Sequence, residues 1–519
     1  MKIGRFVRTV GGLEKSQLVW FPVRRATTKG LAPFLSNPSF RKGDPSRVFP
    51  SEIQTDPELR EIARGVLVRE RERYLARIHH LSPKLAAFEA SYGLQLGDSA
   101  EELKRVWTSP VAFTPYCASV RARQLALAVV FHGKETPASL YRELQRAGRA
   151  VALQLERDIG GNHLFENAMG LLSASAWLQG KEAERWGRVG RDLLLRLIFR
   201  HFLSDGGHYE RSATYHAHCL HALLVLRLIR QAAQQPPLEG IEPGIANGLT
   251  FLQRVRAPDG TPPLFNDASL DAAPTIDEIF AFANALGIPH SEGKFKSLDV
   301  LDETGWAILR NARAHVFFDA GADGARDQPG HVHADALTFE LFVDNERAIV
   351  DYGVDTYEDN EHRAYARGTM AHNTVQVGKR NSAEVWSAFR TGAFSKAKLV
   401  SFATTGDRVS VSASHTGFGS SPFGLARVGS GHTPLKVLRH LELSKHSLRI
   451  VDEVPATKEV VTSRLRVREG AGIECTGSHP VTKKAHRWYP RFGVASPATI
   501  FELTRAPNDP APLCWEIRW

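Results

Sequence analysis

The sequence predicts an α+β protein of two domains, stacked helical hairpins followed by an antiparallel β-sandwich. Three observations carry this. The chain has 519 residues, too many for one core. Residues ~52–290 repeat apolar positions at helical spacing. Beyond about residue 300 the pattern becomes alternating and rich in Val, Phe and Thr.

In the first half, "PELREIARGVLVRERERYLARI", "ASLYRELQRAGRAVALQLERDI", "RVGRDLLLRLIFRHFL" and "HAHCLHALLVLRLIRQAAQQ" all read as amphipathic or buried helices. "SDGG" (204–207), "APDGTPP" (257–263) and "GIPHSEG" (287–293) interrupt them. That gives roughly eight to ten helices with short connections. In the second half, "AHVFFDAGA", "LTFELFVDNERAIVDYG", "NTVQVGK" and "VTSRLRVREGAGIECTG" read as strands. "LELSKHSLRIV" places a short polar turn between two alternating runs, a hairpin signal. The expected division is an N-terminal extension over 1–50, a helical domain over 51–296 and a sandwich over 297–519. A cleft between two such domains is a natural site.

Composition narrows the function. Hydrophobic residues make up 43% and charged residues 24%, ordinary values for a globular chain. No apolar run approaches the ~20 residues of a membrane span, and no membrane partner is expected. The net charge of +10 suggests a polyanionic partner. Lys and Arg are dispersed, with no polybasic tail, zinc-finger spacing or RNP-like motif, which argues against nucleic acid. Cys117, Cys219, Cys475 and Cys514 are far apart and read as isolated thiols. The basic N-terminus lacks a continuous apolar stretch and a cleavage site. No signal peptide is read, and a cytoplasmic location is the expectation.

Four stretches carry candidate chemistry. In "GHVHADALTFEL" (330–341), His331, His333 and Asp335 alternate ahead of an apolar run. If the chain is extended there, all three share one face. Asp351 and His372 could complete a metal site with His333; zinc accepts such a His/carboxylate set, with manganese, iron or calcium as alternatives. In "GGNHLFENAMGLL" (160–172), His163, Glu166 and Asn167 fall on one helical face beside Asn162. A helix cap accounts for this polar cluster equally well.

"DGGHYERSATYHAHCLHAL" (205–223) holds His208, His216, His218 and His221 just after His201, with Tyr209, Glu210 and Tyr215 among them. A tyrosine near cationic groups would ionise more easily and could act as acid or base; solvation on a helix face would absorb several of the histidines. In "TPYCASVRARQLAL" (114–127), Arg121 and Arg123 could fork onto carboxylates and Tyr116 could stack on a sugar. A solvated helix face is the alternative, above all for Arg123. Asn266 and Asp267 in "PPLFNDAS" either orient groups in the cleft or make a turn.

Taken together, "GNHLFENAMGLL", "DGGHYERSATYH", "GHVHADALTFEL" and "RAYARGTMAHNTVQVGKRNSAEVW" resemble, in order, the signatures of the heparinase II/III superfamily of polysaccharide lyases. The resemblance covers roughly residues 105–395. It implies an incomplete (α/α) toroid followed by the sandwich, and eliminative cleavage of a uronic-acid polysaccharide such as heparan sulfate, hyaluronan, chondroitin or alginate. Such a reaction takes the C5 proton of a uronate and expels the oxygen at C4. It needs the carboxylate neutralised, a base and an acid.

The resemblance implies Asn162 as carboxylate neutraliser with His163 as helper, Tyr215 as catalytic tyrosine, with Tyr209 a nearby decoy, and His331 as catalytic histidine. Arg121, Tyr116, Glu166 and Glu210 would contact substrate. His333, Asp351 and His372 would hold a structural divalent metal, zinc first, that fixes the segment bearing His331. Family lyases are usually exported, which stands against the cytoplasmic expectation. Two other readings are a polysaccharide-binding protein that reuses the fold, and a metallohydrolase. The intact Asn/Tyr/His set argues against the first, and the lack of an HExxH-like relation against the second.

Overall fold

The computed structural model describes residues 9–22 (save 16), 56–93, 114–290, 295–419 and 434–519. The expected N-terminal extension lies largely outside these residues.

Among the described residues, nine α-helices run from Pro57–Arg77 to Ile276–Ala285. Their boundaries follow local chemistry. Asp56 accepts a hydrogen bond from the Glu58 amide and precedes Pro57 at the first helical position. Thr275 and Glu278 close a reciprocal capping box on Ile276–Ala285. The helices are arranged as a toroid around one apolar core that includes Leu125, Val129, Leu144, Leu171, Leu223 and Leu252. Pro115–His132 is central and packs on Pro57–Arg77, Ala138–Leu153 and Gly161–Trp177. Gly170 permits the last crossing, because a Cβ there would lie 2.6 Å from Ser119 Cα.

The last toroid helix ends at Ala285 and the first strand, Leu298–Leu301, opens the β-domain. An antiparallel meander follows, through Trp306–Arg310, Ala314–Asp319, Phe339–Val343 and Glu346–Ile349. Val461–Arg468, Val494–Arg505 and Val481–Arg491 extend that sheet, and Val375–Val377 pairs beside Val461–Arg468. The second sheet has six strands, in the order Glu474–Gly477, Leu513–Arg518, Ser447–Glu453, Leu435–Leu443, Arg408–Gly417 and Lys398–Thr405. The predicted hairpin is Leu435–Leu443 against Ser447–Glu453. Alternating side chains of both sheets, among them Val411, Leu441, Ile450, Leu465 and Trp515, fill the space between them.

A buried fork locks the sandwich to the loops near the toroid. Arg439 binds Asp452 through Nε (2.6 Å) and Nη2 (2.8 Å), and its Nη1 donates to the carbonyls of Leu337 and Asn373. No helix among the described residues is long and apolar enough to cross a membrane. The four cysteines are free, and three of them are buried.

Candidate active site

A cavity of about 650 Å³ lies where the toroid meets the sandwich loops. Asn162, His163, Tyr215 and Tyr116 line it from the helices, and His331, Tyr357 and Phe389 from the sandwich side.

Local sequence explains each placement. Gly160 and Gly161 take positive φ (69° and 52°) and start the Gly161–Trp177 helix against the Gln328 side chain. This sets Asn162 and His163 in its first turn, where the helix dipole favours an anion. His163 Nδ1 lies 3.1 Å from Glu156 Oε1, and Asn167 Nδ2 donates to Glu156 Oε2 (3.0 Å). Asn167 is therefore fully buried and braces Glu156. Tyr116 stacks on Phe88 (4.9 Å, 11°) and tilts against His163 (4.7 Å).

Tyr215, in the first turn of Ala213–Ala232, packs its ring 3.9 Å from that of His331. Its hydroxyl meets the Tyr357 hydroxyl at 3.3 Å. The buried Arg363 guanidinium is near enough to act on the Tyr215 phenol, but it does not govern it. Burial first, then Tyr357 and Asp267, push the Tyr215 phenol well above its ordinary value. The phenol keeps its proton at rest, opposite to the sequence expectation.

"GHVHADALTFEL" does not begin as a strand. Pro329–His331 is a 3-10 turn and the strand starts only at Phe339. His331 faces the cavity, whereas His333 and Asp335 are completely buried. Proline at 329 and a positive φ at Leu337 (62°) keep the segment from extending. What joins the two histidines is Asp267. It accepts from His331 Nδ1 (2.9 Å) and His333 Nε2 (2.8 Å), and from both terminal nitrogens of Arg363 (2.5 and 2.7 Å). Burial acts to raise the Asp267 carboxyl, but Arg363 and the two histidine hydrogen bonds outweigh it and hold it well below the usual range. Asn266 Oδ1 accepts from the His333 amide (2.9 Å). The loop "PPLFNDAS" therefore orients site groups, the first of its two readings.

Three residues expected to contact substrate, Arg121, Glu166 and Glu210, are engaged within the protein or set back from the cavity. Arg121 is 3% exposed, reaches Ser91 Oγ with Nη2 (3.3 Å) and does not line the cavity. Helical spacing places it on the opposite side from Arg123, which does line the cavity and is equally buried rather than solvated. Glu166 lines the cavity but is taken by Arg123 Nε (2.8 Å). Glu210 is 1% exposed and stands behind His331, its Oε2 3.7 Å from Nε2. Burial raises its carboxyl, with His331 opposing. Tyr357, Arg363, Glu156 and Phe389 were not singled out from sequence. Arg363 opens a motif that was recognised without a role, whereas isolated aromatics such as Tyr357 and Phe389 carry no spacing signal.

The histidines of "HYERSATYHAHCLH" are not a solvated face. Three of the four are buried, His208, His216 and His221, and the half-buried His218 lines the cavity. His216 Nε2 meets the Gly248 carbonyl at 3.0 Å. Burial pushes His201 and His218 down to about 3 and His216 to about 4.

His201, His208 and Cys219 form the one His/Cys/Asp/Glu trio among the described residues whose ligand atoms all fall within 4.8 Å. The Glu210 amide donates to His208 Nδ1 (3.4 Å), so the ring proton sits on Nε2, 3.1 Å from His201 Nδ1. That neutral pair is joined as a hydrogen-bonded chain, which leaves His201 Nε2 buried without a hydrogen-bond partner.

The residues expected to hold a metal lie together behind His331. His372 Nδ1 is 2.9 Å from Asp351 Oδ2, and the His333 and His372 rings are 5.4 Å apart. His333 Nδ1, His372 Nε2 and Asp335 Oδ1 are buried with no hydrogen-bond partner. Two imidazoles and flanking carboxylates with unspent donors suit a divalent ion in kind, although these ligand atoms do not converge as closely as those of the His201 trio.

A helical toroid on an antiparallel sandwich, with an Asn/Tyr/His cavity at their junction, defines the class to which this chain is assigned. Residues 144–286 match the heparinase II/III N-terminus model and residues 295–481 match the heparinase II/III-like C-terminal model. The chain belongs to the heparinase II/III family. It is 25% identical over 261 residues to a heparin-sulfate lyase of Bacteroides thetaiotaomicron, and 28% identical over 245 residues to one of Bacteroides stercoris. Each alignment takes in 43% of this chain, and it spans 37% and 36% of those relatives. Among solved structures, the fold matches heparinase III (TM-score 0.64, 15% identity, 97% of this chain and 91% of that one). It also matches the heparan sulfate lyase HepC of Pedobacter heparinus (TM-score 0.54, 17% identity, 95% and 88%).

Proposed function

We propose that this chain is a polysaccharide lyase that breaks uronic-acid polysaccharides by β-elimination. One observation carries the reading: Asn162 and Tyr215 from two toroid helices and His331 from a sandwich loop line a single cavity, with the Tyr215 and His331 rings in contact at 3.9 Å. The names of the two relatives agree with it.

The roles follow from the chemistry. Asn162, at the start of a helix, and His163, held by Glu156, bind the uronate carboxylate and stabilise the charge that develops on it once C5 loses its proton. Asp267 fixes the Nδ1–H tautomer of His331, which leaves Nε2 as base. Glu210 stands 3.7 Å from that nitrogen. The protonated phenol of Tyr215 gives its proton to the leaving oxygen at C4. Because the rings of His331 and Tyr215 are in contact, no sugar passes between them and the two events occur on one face of the sugar, a syn elimination.

His333, His372 and Asp351 would hold a structural divalent cation, zinc first, whose charge would tie the loop bearing His331 to the sandwich. Elimination needs no activated water, so no step runs through it.

The test is the ultraviolet absorbance of the conjugated 4,5-unsaturated uronate, followed on heparosan, hyaluronan, chondroitin, heparan sulfate and alginate. Absorbance rises on at least one polymer with the folded protein and not with Tyr215→Phe. No rise on any polymer refutes the reading.

A further inference from the structure

We infer that His201, His208 and Cys219 form a second metal site, built inside the toroid for a thiophilic divalent cation of the zinc class. It shares no residue with His333, His372 and Asp351, and it does not depend on the lyase reading.

The positions of the three ligand atoms carry the inference. With Zn–N at about 2.0–2.1 Å and Zn–S at about 2.3 Å, tetrahedral angles set two nitrogens ~3.3 Å apart and a nitrogen and a sulfur ~3.6 Å apart. His201 Nδ1 and His208 Nε2 are 3.1 Å apart, and Cys219 Sγ lies 3.7 Å from the first and 3.6 Å from the second. Three corners of a tetrahedron are thus in place. They come from three pieces of chain: His201 ends the helix Lys181–His201, His208 follows the "SDGG" turn, and Cys219 belongs to Ala213–Ala232. A bridge between Phe202 and His208, and a bond from the Tyr209 amide to the His201 carbonyl (3.1 Å), hold the two imidazoles together.

The protons of the trio point the same way. His208 Nε2–H and the Cys219 thiol are both donors, and the lone pair of His201 Nδ1 is the good acceptor they share. His201 therefore carries its proton on Nε2, which is buried without a partner. That is the tautomer that a ligand at Nδ1 requires. Burial holds both imidazoles neutral, the form that binds metal. A cation takes the place of the two protons between the ligand atoms. The thiol proton leaves to solvent, because a coordinating thiol is deprotonated. The His208 proton moves to Nδ1, which gives up the long 3.4 Å bond from the Glu210 amide. Glu210 is close enough to act on the Cys219 sulfur and has both carboxyl oxygens unpartnered, so the added positive charge favours its ionised form.

The trio is buried, yet Cys219 also lines the cavity, which gives an ion its way in and leaves the fourth position to water. Cys219 stands one helical turn beyond Tyr215 on Ala213–Ala232. An ion held there would tie the end of Lys181–His201 to the helix that carries Tyr215. Among the described residues, none of the other three cysteines joins a trio of this kind.

The experiment strips the full chain with chelator, desalts it without oxygen and titrates it with Co(II). One equivalent produces a thiolate-to-cobalt charge-transfer band in the near ultraviolet, Zn(II) removes that band, and Cys219→Ser never develops it. Cobalt at His333, His372 and Asp351 gives no such band, because that set holds no sulfur, so the two sites are read separately. Iodoacetamide labelling of the parent chain with peptide mapping needs no variant: Zn(II) slows alkylation of Cys219 several-fold more than that of Cys117, Cys475 and Cys514. Absence of the charge-transfer band, a band that persists in folded Cys219→Ser, or alkylation that zinc slows no more at Cys219 than at the other cysteines overturns the inference.

Discussion

Asp267→Asn isolates the hub of the site without touching its lining. The side chain is fully buried and does not line the cavity. Asparagine keeps its shape but removes the negative charge that serves His331, His333 and Arg363. Its amide also places N–H donors where His331, His333 and Arg363 themselves donate. Breaking a buried ion pair from one side costs about 3–5 kcal/mol, so the melting temperature falls.

The effect on rate has a separate origin. Without an anionic acceptor at Nδ1, His331 loses its tautomer and its orientation. Losing the group that orients a catalytic imidazole lowers turnover by about 10²–10⁴-fold. The assay is kcat and KM from product absorbance, at a temperature where circular dichroism shows the variant folded. Because Asp267 makes no contact with the cavity, the loss falls on kcat and KM changes little. Arg363→Lys serves as control: it breaks the fork to Asp267 but keeps a cation there and leaves the His331 hydrogen bond in place. It therefore melts early and retains far more of its turnover. An Asp267→Asn protein that is folded and turns over within threefold of the parent would refute the role given to this carboxylate.

Other outcomes follow from the same structure. Tyr357→Phe removes the one hydroxyl that meets the Tyr215 phenol, at 3.3 Å, and is expected to lower kcat by about tenfold with an unchanged melting temperature; a larger loss of stability than of rate would contradict the placement. Polymannuronate and polyguluronate differ at C5, and syn elimination by the touching Tyr215 and His331 predicts faster product absorbance from the manno polymer; preference for the gulo polymer would reverse the assignment. Chelator treatment is expected to lower the melting temperature while kcat of the protein that remains folded is retained; a parallel loss of kcat without a stability change would exclude a structural ion. Six histidines, His201, His216, His218, His315, His333 and His415, have folded-state values depressed by burial to about 3 or 4. The unfolded chain takes up protons on them first, so stability is full above about pH 6.5 and falls by about 1 kcal/mol per pH unit for each as pH drops toward 4; denaturant midpoints that stay flat over that range would refute it.

The sequence makes the architecture readable because both domains obey their own period. Helical spacing in "RVGRDLLLRLIFRHFL" and alternation in "LELSKHSLRIV" are set by which face is buried, and burial is a local pattern in both cases. The site is legible only in part. Asn162, Tyr215 and His331 stand in motifs dense enough to be noticed, and they share the cavity. Arg121 and Arg123 are two residues apart, a spacing that on a helix sends them to different sides, and composition cannot tell which side meets the cavity. Glu210 likewise sits in a chemically suggestive motif, yet the chain turns it behind His331. The one-face argument for His331, His333 and Asp335 fails because it assumes an extended backbone, and Pro329 and Leu337 shape a turn instead.

The failed face argument leads to a firmer one. The two histidines share a carboxylate from a loop that lies 64 residues earlier than His331, and through it they are coupled. His331 Nδ1 and His333 Nε2 each bind one oxygen of Asp267, so a change in one hydrogen bond bears on the other. His333 in turn leaves Nδ1 toward the interior, where His372 and Asp351 stand. A cation held there would draw electron density from the His333 ring and strengthen its Nε2–H hydrogen bond to Asp267. Asp267 would then be a weaker acceptor for the Nδ1–H of His331, the hydrogen bond that orients the imidazole facing the sugar. A divalent ion, were one held by His333, His372 and Asp351, would therefore be tied through His333 and Asp267 to the position of His331.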